Sequence, residues 1–148
     1  MKKLLSLLFI TVFSLNAAGF WTLTGLTKAN IYVKNNVSLL NPNTITSIKK
    51  KMSKTLVDLG IQTNVQDSPT LMIALEDLDN DGVHYVYARL ALGEEVQTYR
   101  ADKSVTFALT YSANDFIEVD KEELDSEVLE SVDFLLSQFA EHFLDDKD

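Results

Sequence analysis

Apolar residues recur at steps of three and four over two stretches of the chain and at every second position over several others, and these two periods predict its elements. Ile45, Ile48, Met52, Leu56 and Leu59 mark one face of a helix. Asn41-Pro42-Asn43 breaks the pattern ahead of it and offers Asn43 as N-cap, while Gly60 stands where a C-terminal stop belongs. The Lys49-Lys50-Lys51 run falls largely on the opposite, solvated face. A second helix is marked by Leu124, Val128, Val132, Leu135, Phe139 and Phe143, with Asp120 and Glu123 spaced as a capping box at its start.

Strands are expected between these helices. Ala29 to Lys34 is short and rich in β-branched and aromatic types, Ile61 to Val65 is a brief candidate ended by Asp67-Ser68-Pro69, and Thr70 to Leu75 is a stronger one. Beyond a loop at Asp77 to Gly82, Val86, Ala88, Leu90 and Leu92 alternate with Tyr85, Tyr87 and Arg89. The run from Val83 through Arg100 is long for one strand, and Gly93 marks a bulge or bend in it. After a turn at Ala101 to Ser104, Val105, Phe107, Leu109 and Tyr111 continue the alternation. The order β-α-β-β-β-α predicts an α+β domain, an antiparallel sheet of four to five strands with two helices packed on one face.

Composition narrows the chemistry. The 148 residues suffice for one domain, and the absence of Cys excludes disulfide scaffolds, thiolate zinc sites, iron–sulfur clusters and cysteine nucleophiles. Charge is sorted along the chain: Ala18 to Val57 holds six Lys and no acid, whereas Ser112 to Asp148 holds 13 acids against Lys121 and Lys147. One reading is a basic first helix lying beside an acidic last one; the other is a docking surface for an oppositely charged partner or lipid head group.

Lys2 and Lys3 precede an apolar stretch from Leu4 to Leu15, followed by Asn16, Ala17 and Ala18. Charged head, apolar middle and small-residue end are the parts of a secretory signal peptide, and the stretch is short of the roughly 20 residues a membrane span needs. Residues 1–17 are therefore expected to be a signal peptide and 18–148 a single α+β domain. The expected location is periplasmic, with no stable membrane anchor after signal removal and no nucleic-acid partner.

Few constellations suggest chemistry. Asp77-Leu78-Asp79-Asn80-Asp81-Gly82 reproduces the first six positions of a calcium loop, but Ala88 stands where the closing Glu belongs, and a hairpin turn, which Asn-Asp-Gly favours, is the preferred reading. His84 and His142 come with no nucleophile motif, and no phosphate-binding glycine loop occurs. Glu94-Glu95 is a pair of carboxylates, but a glycosidase needs two that face each other across a cleft. No metal or other cofactor is expected. The more suggestive feature is a polar-aromatic sheet face carrying Tyr85, Tyr87 and Arg89, with Tyr99 and Arg100 further along, because Tyr and Arg dominate the energetic centres of interfaces.

The chain resembles a family of uncharacterised exported bacterial proteins. The resemblance is carried by Thr24-Gly25-Leu26, Leu59-Gly60-Ile61, Pro69-Thr70-Leu71, Tyr85-Val86-Tyr87 with Leu90 and Val96, and Val132 to Phe139. The element order is also similar to small periplasmic accessory domains, such as the lipopolysaccharide-assembly lipoprotein and the N-terminal domain of the Tol-system propeller protein. This chain departs from the lipoprotein in having no Cys to lipidate. The resemblance implies a fold and a compartment and transfers no catalytic residue. The expectation is a non-enzymatic interaction or accessory domain of the cell envelope with an envelope protein as partner. The alternatives are a small-ligand or calcium module at Asp77 to Gly82 and, less favoured, a hydrolase; the oligomeric state is not legible.

Overall fold

Strand β1, Asn30–Asn35, leads through a short loop into helix α1, Pro42–Asp58. The computed structural model describes residues 23–80, 83–120 and 122–147, the side chains of 79, 80, 83 and 84 apart; the expected signal peptide lies outside them. Asn41, rather than the expected Asn43, caps α1: its side chain accepts a hydrogen bond from the Asn43 N–H at 2.9 Å. Pro42 then takes the first helical position, where a missing N–H costs nothing. The helix stops as expected. Gly60 adopts φ 77°, and the Gly60 and Ile61 N–H groups bond back to the carbonyls of Val57 (3.0 Å) and Leu56 (2.8 Å), the two bonds of a Schellman motif.

The expected strand at Ile61 to Val65 is reduced to a single parallel bridge between Lys28 and Gln62. Asn64 (φ 60°) and Asp67 (φ 53°) turn the backbone left-handed there, which no extended ladder tolerates. The next elements are β2 (Thr70–Asn80), β3 (Val83–Gln97), β4 (Val105–Glu118) and helix α2 (Leu124–Asp145). The sheet order is β1-β2-β3-β4. It is mixed rather than antiparallel: α1 carries the chain back to the starting end, so β2 pairs parallel to β1, while β2, β3 and β4 form an antiparallel meander. The class is α+β, with both helices on one face.

Between helices and sheet lies one core. Leu71, Ile73 and Leu75 of β2, Val86, Ala88, Leu90 and Leu92 of β3, and Tyr111 and Ile117 of β4 meet Ile48, Met52 and Leu56 of α1 and Val128, Val132, Leu135 and Phe139 of α2. The helices also hold each other. Lys51 of α1 reaches both carboxylate oxygens of Asp133 on α2 at 2.7 and 2.8 Å, and Asp125 Oδ1 accepts from the Asn41 N–H (3.0 Å) and the Thr44 hydroxyl (2.5 Å) at the start of α1. The expected capping box does not form: Glu123 itself is the N-cap residue and makes no side-chain bond there, because Asp120 belongs to the preceding turn and accepts the Glu123 N–H through its carbonyl. Among the described residues, no helix is long and apolar enough to cross a membrane.

Candidate functional site

Because strand side chains alternate, each core residue of the sheet has neighbours pointing away from the helices. On β3 these are Tyr85, Tyr87, Arg89, Ala91 and Gly93; on β2 they are Met72, Ala74, Glu76 and Leu78; on β1, Tyr32 and Lys34. Ala74 and Ala91 are buried although no helix covers them, since their short side chains lie below the level of longer neighbours. Gly93 forms part of the same floor. A Cβ there would come within 2.3 Å of Phe107 Cζ, so the glycine lets the Phe107 ring lie flat across the strand.

Above this floor stands an apolar and aromatic ridge. Tyr87 and Phe116 stack at 4.7 Å between ring centres, and Phe116, Phe107 and Tyr32 remain 63%, 65% and 53% exposed. Arg89 is fixed within the face by a bond from Nε to the Ser112 hydroxyl at 3.0 Å, which holds its guanidinium over the sheet. Lys34 and Glu76 pair at 3.7 Å on the side toward β1. The face thus combines anchored polar groups with large apolar surface that nothing described here covers.

Of the five residues expected to bind, Tyr85, Tyr87 and Arg89 share this face. Tyr99 and Arg100 do not join them. Both are exposed in the β3–β4 turn, roughly 40 Å along the strand from Tyr85 at about 3.3 Å per residue. The alternation in β4 also differs from expectation. Leu92 pairs with Tyr111 but Gly93 pairs with Leu109, so Thr110 is an extra residue and the strand changes face at that point. Val105, Phe107 and Leu109 therefore lie on the outer face, whereas Tyr111 turns into the core. This bulge hides the face of Phe107 from periodicity, and its one sequence signal is Gly93 on the neighbouring strand; Phe116 lies past it, beyond the alternation that runs from Val105 to Tyr111.

No family model matches the chain, and no curated protein does. Among solved structures it is similar to a PelC point-variant dodecamer from Paraburkholderia phytofirmans, at 18% identity over 79% of this chain and 88% of that one, with a TM-score of 0.46. It is also similar to a minor lipoprotein from Acinetobacter baumannii, at 15% identity over 78% of this chain and 91% of that one, with a TM-score of 0.32. Neither likeness assigns an activity or a site to this chain.

The remaining candidates are dispersed. Asp77 to Asn80, expected in a loop, are strand paired with Val83 to Val86, extended rather than wrapped as around an ion. Residues 81 and 82 and the side chains of Asp79 and His84 lie outside the described residues. Among the described residues, no group of three or more His, Asp or Glu stands close enough to share a metal. Glu94 and Glu95 are adjacent in β3 and point to opposite faces, Glu94 accepting from the Thr110 hydroxyl. His142 Nδ1 lies 3.2 Å from the hydroxyl of buried Tyr111. Burial pushes the Tyr111 phenol up to about 12, so it keeps its proton and offers no base. The cavities beside Leu23–Lys28, between the helices and beside Phe134 are lined by neither residue.

Proposed function

We propose that this chain is an exported, periplasmic interaction domain that acts by contact rather than catalysis, and that its outer sheet face is the contact surface. The observation that carries this reading is the ridge of Tyr87 stacked on exposed Phe116, with half-buried Tyr85 on the same face and Arg89 braced beside it, which no described residue covers. Aromatic rings give large contact area at the cost of two side-chain torsions each, and an Arg already held by Ser112 loses little further freedom on binding. The N-terminal pattern of two Lys, an apolar run and small residues supports export.

The test is site-specific photocrosslinking in cells of the native host, with the reactive group at position 87 and, as control, at Ala101 in the exposed β3–β4 turn. A discrete adduct from position 87 in the osmotic-shock fraction, lost in the Tyr85→Ser and Phe116→Ser double variant at unchanged thermal stability, supports the reading. Equal adducts from both positions, or recovery of the chain only in the cytoplasm, would sink it.

A further inference from the structure

A second surface lies at the sheet's two ends. Among the described residues no strand pairs with the outer edge of β1 or of β4, the bonds of Gln62 to Thr27 and Ala29 lying just ahead of β1, and both strands run in the same direction, since β1 parallels β2 and the meander turns the chain twice more before β4. Each is followed by a helix on the same face. The units β1-α1 and β4-α2 are thus equivalent in direction and stand at opposite flanks.

The flanks carry opposite charge. No acid occurs between Leu23 and Val57. Ile48, Met52 and Leu56 face the sheet, and Lys51 and Thr55 face α2, so at 100° per residue Lys49 projects from the flank away from α2 and Lys50 from the crest. Both are exposed. On the opposite flank, Glu127, Glu130 and Phe134 of α2 and Asp115 and Phe116 of β4 line an open groove that, among the described residues, holds acid and no base. Phe134 is 50% exposed there. The groove is the outer counterpart of the α1–α2 seam, where Lys51 meets Asp133 and the two helix starts lie level through Asp125.

We propose that a second copy of this chain docks head to tail on the β4-α2 flank, its β1 continuing the sheet beside β4 and its α1 lying beside α2. Lys49 and Lys50 of one copy then approach Glu127 and Glu130 of the next, and Phe116 and Phe134 are covered. The contact joins two different surfaces, so it repeats into a ring or a filament rather than stopping at a two-fold dimer. With a net charge of −9, two copies repel at long range, and the sorted flanks decide whether contact is favourable.

Sedimentation velocity on the exported chain tests this. At about 50 mM salt, species larger than dimer are expected to grow with concentration and to recede at about 0.5 M, where the screening length falls to about 4 Å. Lys49→Glu with Lys50→Glu, and separately Glu127→Lys with Glu130→Lys, should each weaken assembly roughly tenfold or more. An equimolar mixture of the two variants should regain assembly beyond dimer, because an acidic flank of one variant meets a basic flank of the other at every contact of an alternating array. A monomer at all concentrations, an assembly that stops at dimer, or variants that assemble as the parent does would overturn the proposal. Unchanged melting curves for both variants keep misfolding from imitating a positive result.

Discussion

Tyr111 brings a polar group into the core, and it makes one residue's chemistry readable from stability alone. Its phenol is held up to about 12 by burial, against an ordinary value of 10.0. Between those values the unfolded chain gives up the proton first, the native state binds more protons, and stability falls as pH rises. Two units correspond to about 2 to 3 kcal/mol, so wild type should lose that much more than Tyr111→Phe between pH 9 and 12 in urea titrations. Parallel pH curves for the two proteins would show that the phenol is not shielded. Gly93 is a second residue whose environment sets its substitution cost. The atom nearest to an added Cβ is the far end of the exposed Phe107 ring, which can swing aside. Gly93→Ala should therefore cost only about 1 kcal/mol, and in a Phe107→Ala background the same change should be neutral or stabilising, since alanine lowers the backbone entropy lost in a strand. Equal cost in both backgrounds would place the constraint in the backbone.

At the scale of elements, the two contacts between the helices look alike on paper and differ in physics. Lys51 and Asp133 remain substantially exposed, so Lys51→Ala should cost less than about 1 kcal/mol. Asp125 accepts from two donors at the start of α1, one of them the hydroxyl of buried Thr44, which would be left unpaired. Asp125→Ala should accordingly cost about 1 to 3 kcal/mol in denaturant unfolding, and an effect no larger than that of Lys51→Ala would show that water replaces the carboxylate. Asp125 also shows where sequence stops being informative. Periodicity announced α2 because Leu124 to Phe143 repeats at three and four, and it announced α1 and the Gly60 stop for the same reason. It could not show that the acid in the first turn of one helix serves the start of the other, 84 residues away. Nor could alternation reveal the direction of β1 or the bulge at Thr110, since both are decided by pairing with another strand. Of the expected site, Tyr85, Tyr87 and Arg89 were legible from one strand's parity. Phe107 was not, because the bulge reverses its face, Phe116 needed the alternation carried past Tyr111, and Tyr99 and Arg100 fall beyond the end of β3 at Gln97.

Over the whole molecule, stability should be graded from the middle of the sheet outward. From Tyr85 to Leu92, β3 pairs with a neighbour on each side and buries Val86, Ala88, Leu90 and Leu92 under the helices. Opening it requires global unfolding. β1 has six residues, pairs with a strand on one side alone among the described residues, and is held mainly through Ile31 and Val33 against the core margin. In hydrogen exchange at low protein concentration, amides of β3 should mark the global free energy, and those of Asn30 to Asn35 should open at roughly 2 to 3 kcal/mol less. Comparable protection in the two strands would mean that the edge unfolds only with the core. The same measurement ties stability to assembly. A docked neighbour gives the outer edge of β1 hydrogen-bond partners that no described strand of the same chain supplies, and mass action then links its protection to concentration. Protection at Asn30 to Asn35 should rise with concentration at low salt and lose that dependence in Glu127→Lys with Glu130→Lys, while β3 stays constant throughout. Protection of β1 that ignores concentration would leave the edge unoccupied and confine contact to the outer aromatic face.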